Sequence, residues 1–99
     1  MLNIEKRTNE SELTITLAGR LDTTTAPELE QALKASLDGV TTLVIDMAAL
    51  EYISSAGLRV LLSAQKTMNR QGAMMVSGAS ETIMEIFEVT GFSDILNLV

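Results

Sequence analysis

Hydrophobic and polar residues alternate over the first part of the chain, and this alternation predicts two β-strands. The clearer strand ends at Gly19 and has three apolar positions separated by threonines: Leu13, Ile15 and Leu17. A period of two is typical of a strand with one buried face. A shorter alternation covers residues 2–6, and the polar run at 8–11 predicts a hairpin turn between the two strands.

The next segment predicts an amphipathic helix. Thr25 and Glu28 have the spacing of a capping box, in which a side chain at each end bonds to a backbone N–H of the first turn. Pro27 is compatible with a first helical turn. Three leucines then share one face: Leu29, Leu33 and Leu37. Gly39 suits a left-handed helix end.

The rest of the chain predicts alternating strands and helices. The predicted segments are a buried strand at Thr42–Met47, a helix at Ser55–Arg70, a strand at Ala73–Val76, and a helix capped by Ser80 that ends at Gly91. Asp94–Val99 is predicted either as a final edge strand or as a tail. The order β-β-α-β-α-β-α(-β) predicts one α/β domain over residues 1–99, with a mixed sheet and right-handed parallel crossovers. Its candidate functional loops follow the carboxyl ends of strands, at 19–25 and 48–57.

Composition excludes several classes of chemistry. The 99 residues include no cysteine and no histidine. Disulfides, thiolate or imidazole metal sites, cysteine nucleophiles and a Ser-His-Asp triad are therefore all excluded. No phosphate-binding glycine loop is present either. We predict no cofactor, no metal site and no catalytic residue.

Charge narrows the range of partners. Seven Lys and Arg against 13 Asp and Glu give a net charge of −6. An acidic surface is repelled by nucleic acid and by anionic lipid, so neither is an expected partner. The first ten residues carry charges where a signal peptide needs an apolar core, and we expect a cytoplasmic protein.

Two adjacent serines mark the start of the second predicted helix. If Ser54 is the N-cap, its hydroxyl accepts from an amide of the first turn. Ser55 then occupies the first helical position with a free side chain. A phosphate there would lie beside unpaired amides and the positive end of the helix dipole. The simpler interpretation is that the serine pair only caps the helix.

Asp22 ends the other candidate loop. A turn or cap role explains it by itself. It gains interest because the same edge of the sheet is predicted to hold Ser55, so that its carboxylate would bond to the serine hydroxyl or repel a phosphate.

These segments resemble a known family. Gly19-Arg20-Leu21-Asp22, Leu43-Val44-Ile45-Asp46, Tyr52-Ile53-Ser54-Ser55-Ala56-Gly57-Leu58 and Val89-Thr90-Gly91-Phe92 are similar to bacterial anti-sigma factor antagonists of the STAS domain family. The resemblance covers nearly the whole chain in order and spacing.

The resemblance implies a regulatory switch. In that family the unphosphorylated antagonist binds an anti-sigma factor that is also a serine kinase, and this binding frees a sigma factor. Phosphorylation of one serine dissociates the complex, and a serine phosphatase removes the phosphate again. By motif position the phosphate acceptor is Ser55. Ser54 is the runner-up, because this chain has a second serine at a position where relatives often carry aspartate. The implied partner-binding residues are Asp22, Thr23, Thr24, Ser54, Ser55, Ala56, Gly57, Leu58 and Arg59.

Two other functions stay open at this stage. A STAS domain can also serve as a scaffold of the stressosome type or as a small cytoplasmic subunit of an ABC-type lipid transporter, and Ser55 would then be helix architecture alone. A small hydrolase would need paired carboxylates, for which Asp22 and Asp46 are the pair that the sequence places on one sheet edge.

Overall fold

The computed structural model describes residues 1–99 and has the predicted order of elements. The strands are β1 (Leu2–Asn9), β2 (Glu12–Leu21), β3 (Thr42–Ile53) and β4 (Ala73–Ser77). The helices are α1 (Ala26–Ser36), α2 (Ser55–Gln71) and α3 (Glu81–Thr90), followed by a 3-10 turn at Phe92–Asp94. The sheet order is β1-β2-β3-β4, with β1 antiparallel to β2 and the other pairs parallel. The predicted mixed α/β sheet is confirmed.

The core lies on one face of this sheet. Buried and half-buried positions alternate along β2, β3 and β4, and the helices cover the buried face. The side chains that point into this layer are Leu13, Ile15, Leu17, Leu43, Ile45, Met74 and Val76. Met74 is buried and Met75 half-buried, as a period of two requires for neighbours on a strand. The opposite face of the sheet remains only half-buried.

Strand β3 is longer than the sequence predicted. We expected it to end at Met47 and to be followed by a loop, whereas it continues to Ile53. Its register against β2 shifts twice, between Thr16 and Ala18 and between Gly19 and Arg20, so β3 contains two β-bulges. The continuation exists because the ten-residue β2 offers a ladder partner as far as Leu21. The residues at 48–53 do not alternate between apolar and polar types, so the sequence did not predict this part of the strand.

The ends of the elements test the predicted caps. The Ser80 hydroxyl accepts from the Ile83 N–H at 3.3 Å, and Gly91 ends α3 in the left-handed region at φ 81°. Both predictions are confirmed. The last segment forms a single parallel bridge, between Val76 and Leu98, in place of a full edge strand.

The capping box predicted at Thr25 and Glu28 is wrong. Thr25 is the N-cap of α1 by position, but its side chain makes no capping hydrogen bond. Its hydroxyl is engaged instead by the preceding turn, which is part of the candidate site.

Candidate functional site

Asp22 organises the turn between β2 and α1. Its Oδ1 accepts from the Thr24 N–H at 3.0 Å, from the Thr25 N–H at 3.1 Å and from the Thr24 hydroxyl at 2.8 Å. The Thr24 hydroxyl bond, joined by the two backbone N–H bonds, lowers the pKa of Asp22 below its ordinary value. This carboxylate is therefore held ionised and fixed in place.

Thr25 closes the same turn from the inside. Its buried hydroxyl donates to the Arg20 carbonyl at 2.8 Å and accepts from the Asp22 N–H at 2.8 Å. The hydroxyl thus satisfies two backbone groups of the turn, and it is unavailable to the helix amides that a capping box would serve. The backbone of the turn is therefore held by side-chain hydrogen bonds from both Asp22 and Thr25.

The junction of β3 and α2 has the predicted cap. Ser54 is the N-cap, and its Oγ accepts from the Gly57 N–H at 3.4 Å. Ser55 is the first helical residue and is exposed. The N–H groups of Ser55 and Ala56 have no protein acceptor, which is ordinary for a first helical turn. The two serines therefore differ: one hydroxyl serves the helix, and the other is free.

Replacing Ser54 tests this division. We expect Ser54→Ala to lower the free energy of unfolding by about 1 kcal/mol, because the Gly57 N–H loses its acceptor. The matched change Ser55→Ala should alter it by less than about 0.5 kcal/mol. Urea unfolding followed by circular dichroism measures both. Equal losses for the two variants would contradict the assignment of the cap.

The two turns lie side by side. Leu21 and Ile53 are register partners at the ends of β2 and β3, and the Ser54 N–H donates to the Leu21 carbonyl at 2.9 Å. Asp22 and Ser54 thus follow directly from neighbouring strand ends, so the Asp22 turn and the serine pair lie at the same edge of the sheet, as predicted. The Asp22 carboxylate makes no hydrogen bond to either serine, however, since its bonds go to Thr24 and Thr25.

Gly57 lets α2 approach these strand ends. A Cβ atom at this position would lie 2.7 Å from Leu21 Cγ and 2.9 Å from Ile53 Cγ1, inside van der Waals contact. The first turn of α2 is therefore seated directly on the two buried side chains that precede Asp22 and Ser54. A larger residue would displace the serine pair relative to the Asp22 turn.

We expect Gly57→Ala to lower the free energy of unfolding by about 1–3 kcal/mol through overpacking, although alanine is the better helix former. Ala56→Gly, one residue earlier, reports the helix preference without the clash and should cost at most about 1 kcal/mol. Urea unfolding of both variants makes the comparison. A Gly57→Ala protein more stable than the wild type would show that the contact with Leu21 and Ile53 relaxes freely.

The residues that the resemblance placed on the partner surface divide by exposure. The exposed ones are Thr23, Thr24, Ser55 and Arg59, and the half-buried ones are Asp22, Ser54 and Ala56. Gly57 and Leu58 are buried instead, because they face the core from the inner side of α2. Their contribution is to hold the exposed residues in place.

Arg20 and Tyr52 belong to the same surface, and sequence reasoning missed them as site residues. They are register partners beyond the second bulge of β3. Arg20 Cζ lies 4.4 Å from the Tyr52 ring centroid, a cation–π contact, and Arg20 Nε lies 3.9 Å from Asp22 Oδ2. A signal was present in the sequence, since Tyr52 is the single tyrosine of the chain and lies within the motif.

The carboxylate pair proposed for a hydrolase does not form. Asp46 pairs in register with Thr16, six residues before Asp22 along β2, which is a separation of about 20 Å. Its Oδ1 accepts from the Ala48 N–H at 3.0 Å. The prediction that both lie on one edge is wrong because β3 continues past Asp46. No three acidic side chains converge as metal ligands, and no helix is long and apolar enough to cross a membrane.

Comparisons with known proteins agree with this architecture. A family model described as STAS domain matches residues 3–99. The anti-sigma-B factor antagonist of Staphylococcus aureus (strain NCTC 8325 / PS 47) is 30% identical, over 98% of this chain and 92% of the relative. An anti-sigma factor antagonist from Mycobacterium paratuberculosis, known from a crystal structure, is 25% identical to this chain. The structural match covers 99% of this chain and 85% of that protein's chain, with a TM-score of 0.89. The Bacillus cell fate determinant SpoIIAA in its phosphorylated form shares the fold at 18% sequence identity. That match covers 100% of this chain and 91% of the SpoIIAA chain, with a TM-score of 0.75.

Proposed function

Because the chain belongs to the STAS domain family, we propose that it is an anti-sigma factor antagonist whose binding is switched off by phosphorylation of Ser55. The names of its relatives support the first part of this proposal. The observation that carries the second part is the pair of serines at the start of α2. The Ser54 hydroxyl is bonded to the Gly57 N–H, whereas Ser55 is exposed at the first helical position.

The binding surface we propose combines the two turns. The exposed Thr23 and Thr24 lie on the Asp22 turn, and Ser55 and Arg59 lie on the first turns of α2. Both turns are held by contacts within the protein, since Thr25 is hydrogen-bonded to the backbone of one and Gly57 seats the other against Leu21 and Ile53. A preorganised surface loses little conformational entropy on binding, which favours affinity.

The switch itself is a phosphoryl transfer in which this protein is the substrate. The Ser55 Oγ attacks the γ-phosphorus of ATP held by the anti-sigma factor kinase, the bond to the bridging oxygen breaks and ADP leaves. The hydroxyl proton passes to a base of the kinase. A serine phosphatase restores the hydroxyl by hydrolysis. The reaction requires ATP, which agrees with the cytoplasmic location expected from the sequence.

The new charge is tolerated by the free protein and disfavoured in the complex. Phosphoserine carries about −1.5 to −2 charges near neutral pH. In the free protein the unpaired N–H groups of Ser55 and Ala56 belong to the N-terminus of α2, and a helix N-terminus stabilises an anion. Arg59 lies one helical turn after Ser55, at the i+4 spacing that brings opposite charges together. A packed partner would have to desolvate the phosphate. We therefore propose that phosphorylation blocks the interface with little change of fold.

Phosphosite mapping on protein purified from its own cells tests the proposal. Trypsin releases residues 35–59 as one peptide, and fragmentation distinguishes Ser36, Ser54 and Ser55 within it. We expect phosphate on Ser55. The Ser55→Ala variant should then retain the anti-sigma factor kinase from the same cells, and that kinase, once purified, should phosphorylate the wild type and Ser54→Ala but not Ser55→Ala.

Two results would overturn parts of the proposal. Phosphate on Ser54 would keep the switch and reject Ser55 as the acceptor. An absence of phosphate under all growth conditions, together with no kinase retained by Ser55→Ala, would reject the switch and favour the scaffold or transporter-subunit role of a STAS domain.

A further inference from the structure

Arg20 and Tyr52 form a built surface feature that the serine and aspartate motifs do not account for. Tyr52 is 37% exposed, and the Arg20 side chain is 53% exposed although it is stacked on the ring and paired with Asp22. The guanidinium–aspartate contact is the one salt bridge of the structure. Ring, guanidinium and carboxylate thus form a continuous row, which we call the Tyr52 row (Tyr52, Arg20, Asp22).

The second bulge of β3 creates this row. Gly19 pairs with Leu50, and in regular pairing Arg20 would then lie opposite Glu51. The bulge inserts one extra residue, so that Arg20 lies opposite Tyr52 and the buried Leu21 lies opposite the buried Ile53. Bulges re-aim side chains in this way, often beside functional sites. Here the bulge puts an aromatic ring, in place of a carboxylate, against the arginine.

The row is continuous with the proposed binding surface. Asp22 belongs to both, and Tyr52 is two residues before Ser54 on the strand that enters α2. The Oδ1 atom of Asp22 accepts hydrogen bonds from Thr24 and Thr25, so the Asp22 turn holds one end of the row in place. The stacking and the ion pair restrict the arginine before binding, which lowers the entropy lost when a partner immobilises it.

We propose that the Tyr52 row is the anchor of the interface with the anti-sigma factor, an inference that rests on the function proposed above. Tyrosine and arginine are the residue types that carry most binding energy in protein interfaces. Only the Nε side of the guanidinium faces Asp22. The remaining N–H donors fit a carboxylate of the partner, and the ring fits an apolar side chain beside it. The partner is thus expected to present an acidic residue next to a hydrophobic one.

The single tyrosine makes the row directly observable. Protein grown with meta-fluorotyrosine carries one fluorine label, at Tyr52. The probe is the unlabelled kinase identified as the partner through Ser55→Ala, in its purified form. We expect the fluorine NMR resonance to shift when the kinase is added to the unphosphorylated protein, and to return to its free position after phosphorylation of Ser55.

Binding constants of variants complete the test. Tyr52→Ala and Arg20→Ala should each weaken binding by about tenfold or more, whereas Tyr52→Phe, which keeps the stacked ring, should stay within about threefold. Arg70→Ala, at the other end of α2, is the matched charge control and should bind like the wild type. Circular dichroism and urea unfolding establish that each variant is folded.

The outcomes separate this inference from the proposed function. If Tyr52→Ala and Arg20→Ala bind like the wild type while phosphorylation of Ser55 still abolishes binding, the anchor is rejected and the switch stands. If the unphosphorylated wild type binds no such kinase, the proposed function fails and this inference fails with it.

Discussion

Phosphorylation of Ser55 is expected to weaken binding to the anti-sigma factor by about a thousandfold. The physical reason is the desolvation of the phosphate, because one unpaired charge buried in an interface costs several kcal/mol. A cost of about 4 kcal/mol corresponds to nearly three orders of magnitude in the dissociation constant. Isothermal titration calorimetry with the phosphorylated and unphosphorylated protein measures the effect.

Size-matched variants separate charge from bulk at the same position. Ser55→Glu adds one negative charge, and Ser55→Gln adds a neutral side chain of nearly the same volume. We expect the glutamate variant to bind more weakly than the glutamine variant, and Ser55→Ala to bind like the unmodified protein. Equal binding by the glutamate and glutamine variants would contradict an electrostatic block.

The fold of the phosphorylated protein should be preserved. The start of α2 provides unpaired N–H groups, and an anion at a helix start is stabilising by about 0.3–1 kcal/mol. Removal of Arg59, by Arg59→Ala, should reduce this gain in the phosphorylated protein and leave the unphosphorylated protein nearly unchanged. A crystal or NMR structure of the phosphorylated form with a rearranged α2 would reject an interface block without refolding.

Phe87→Ala is expected to cause the largest loss of stability, about 3–5 kcal/mol. Phe87 is completely buried and holds α3 against the core together with Ile83. Its removal leaves a cavity that the packed sheet can fill only partly. Since a domain of this size has a total stability of about 5–15 kcal/mol, the variant should be marginally folded at physiological temperature.

Urea unfolding of two control variants completes this test. Phe92→Ala removes the same side chain from a half-buried position, and Val89→Ala shortens a largely exposed side chain on α3. We expect a smaller loss for the first and less than about 0.5 kcal/mol for the second. A Phe87→Ala protein that unfolds at the wild-type urea concentration would show that α3 is not part of the cooperative core.

Features set by short stretches of sequence were predictable. The strand at 13–17 follows from its own alternation, and the caps Ser54, Ser80 and Gly91 follow from hydrogen bonds and backbone angles within a few residues. The resemblance of the motifs to the STAS domain family is confirmed by the family model. Such features depend on residues that are close in sequence, so they can be identified from the sequence alone.

Features set by the path of a turn, or by pairing between strands that are distant in sequence, were not predictable in the same way. Whether Thr25 caps α1 depends on the Arg20 carbonyl and the Asp22 N–H, and these groups are brought to it by the course of the turn. The length of β3 depends on β2 as a ladder partner.

The sequence by itself determined the order of the elements, the absence of histidine and cysteine chemistry, and the presence of a serine cap at the start of α2. The tertiary structure decided the register of β3 against β2, and with it the pairing of Arg20 with Tyr52 and the separation of Asp46 from Asp22. The physical reason is that a bulge carries no local signature of its own. It arises because Leu50 and Ile53 must both reach the core while the ladder to β2 is kept.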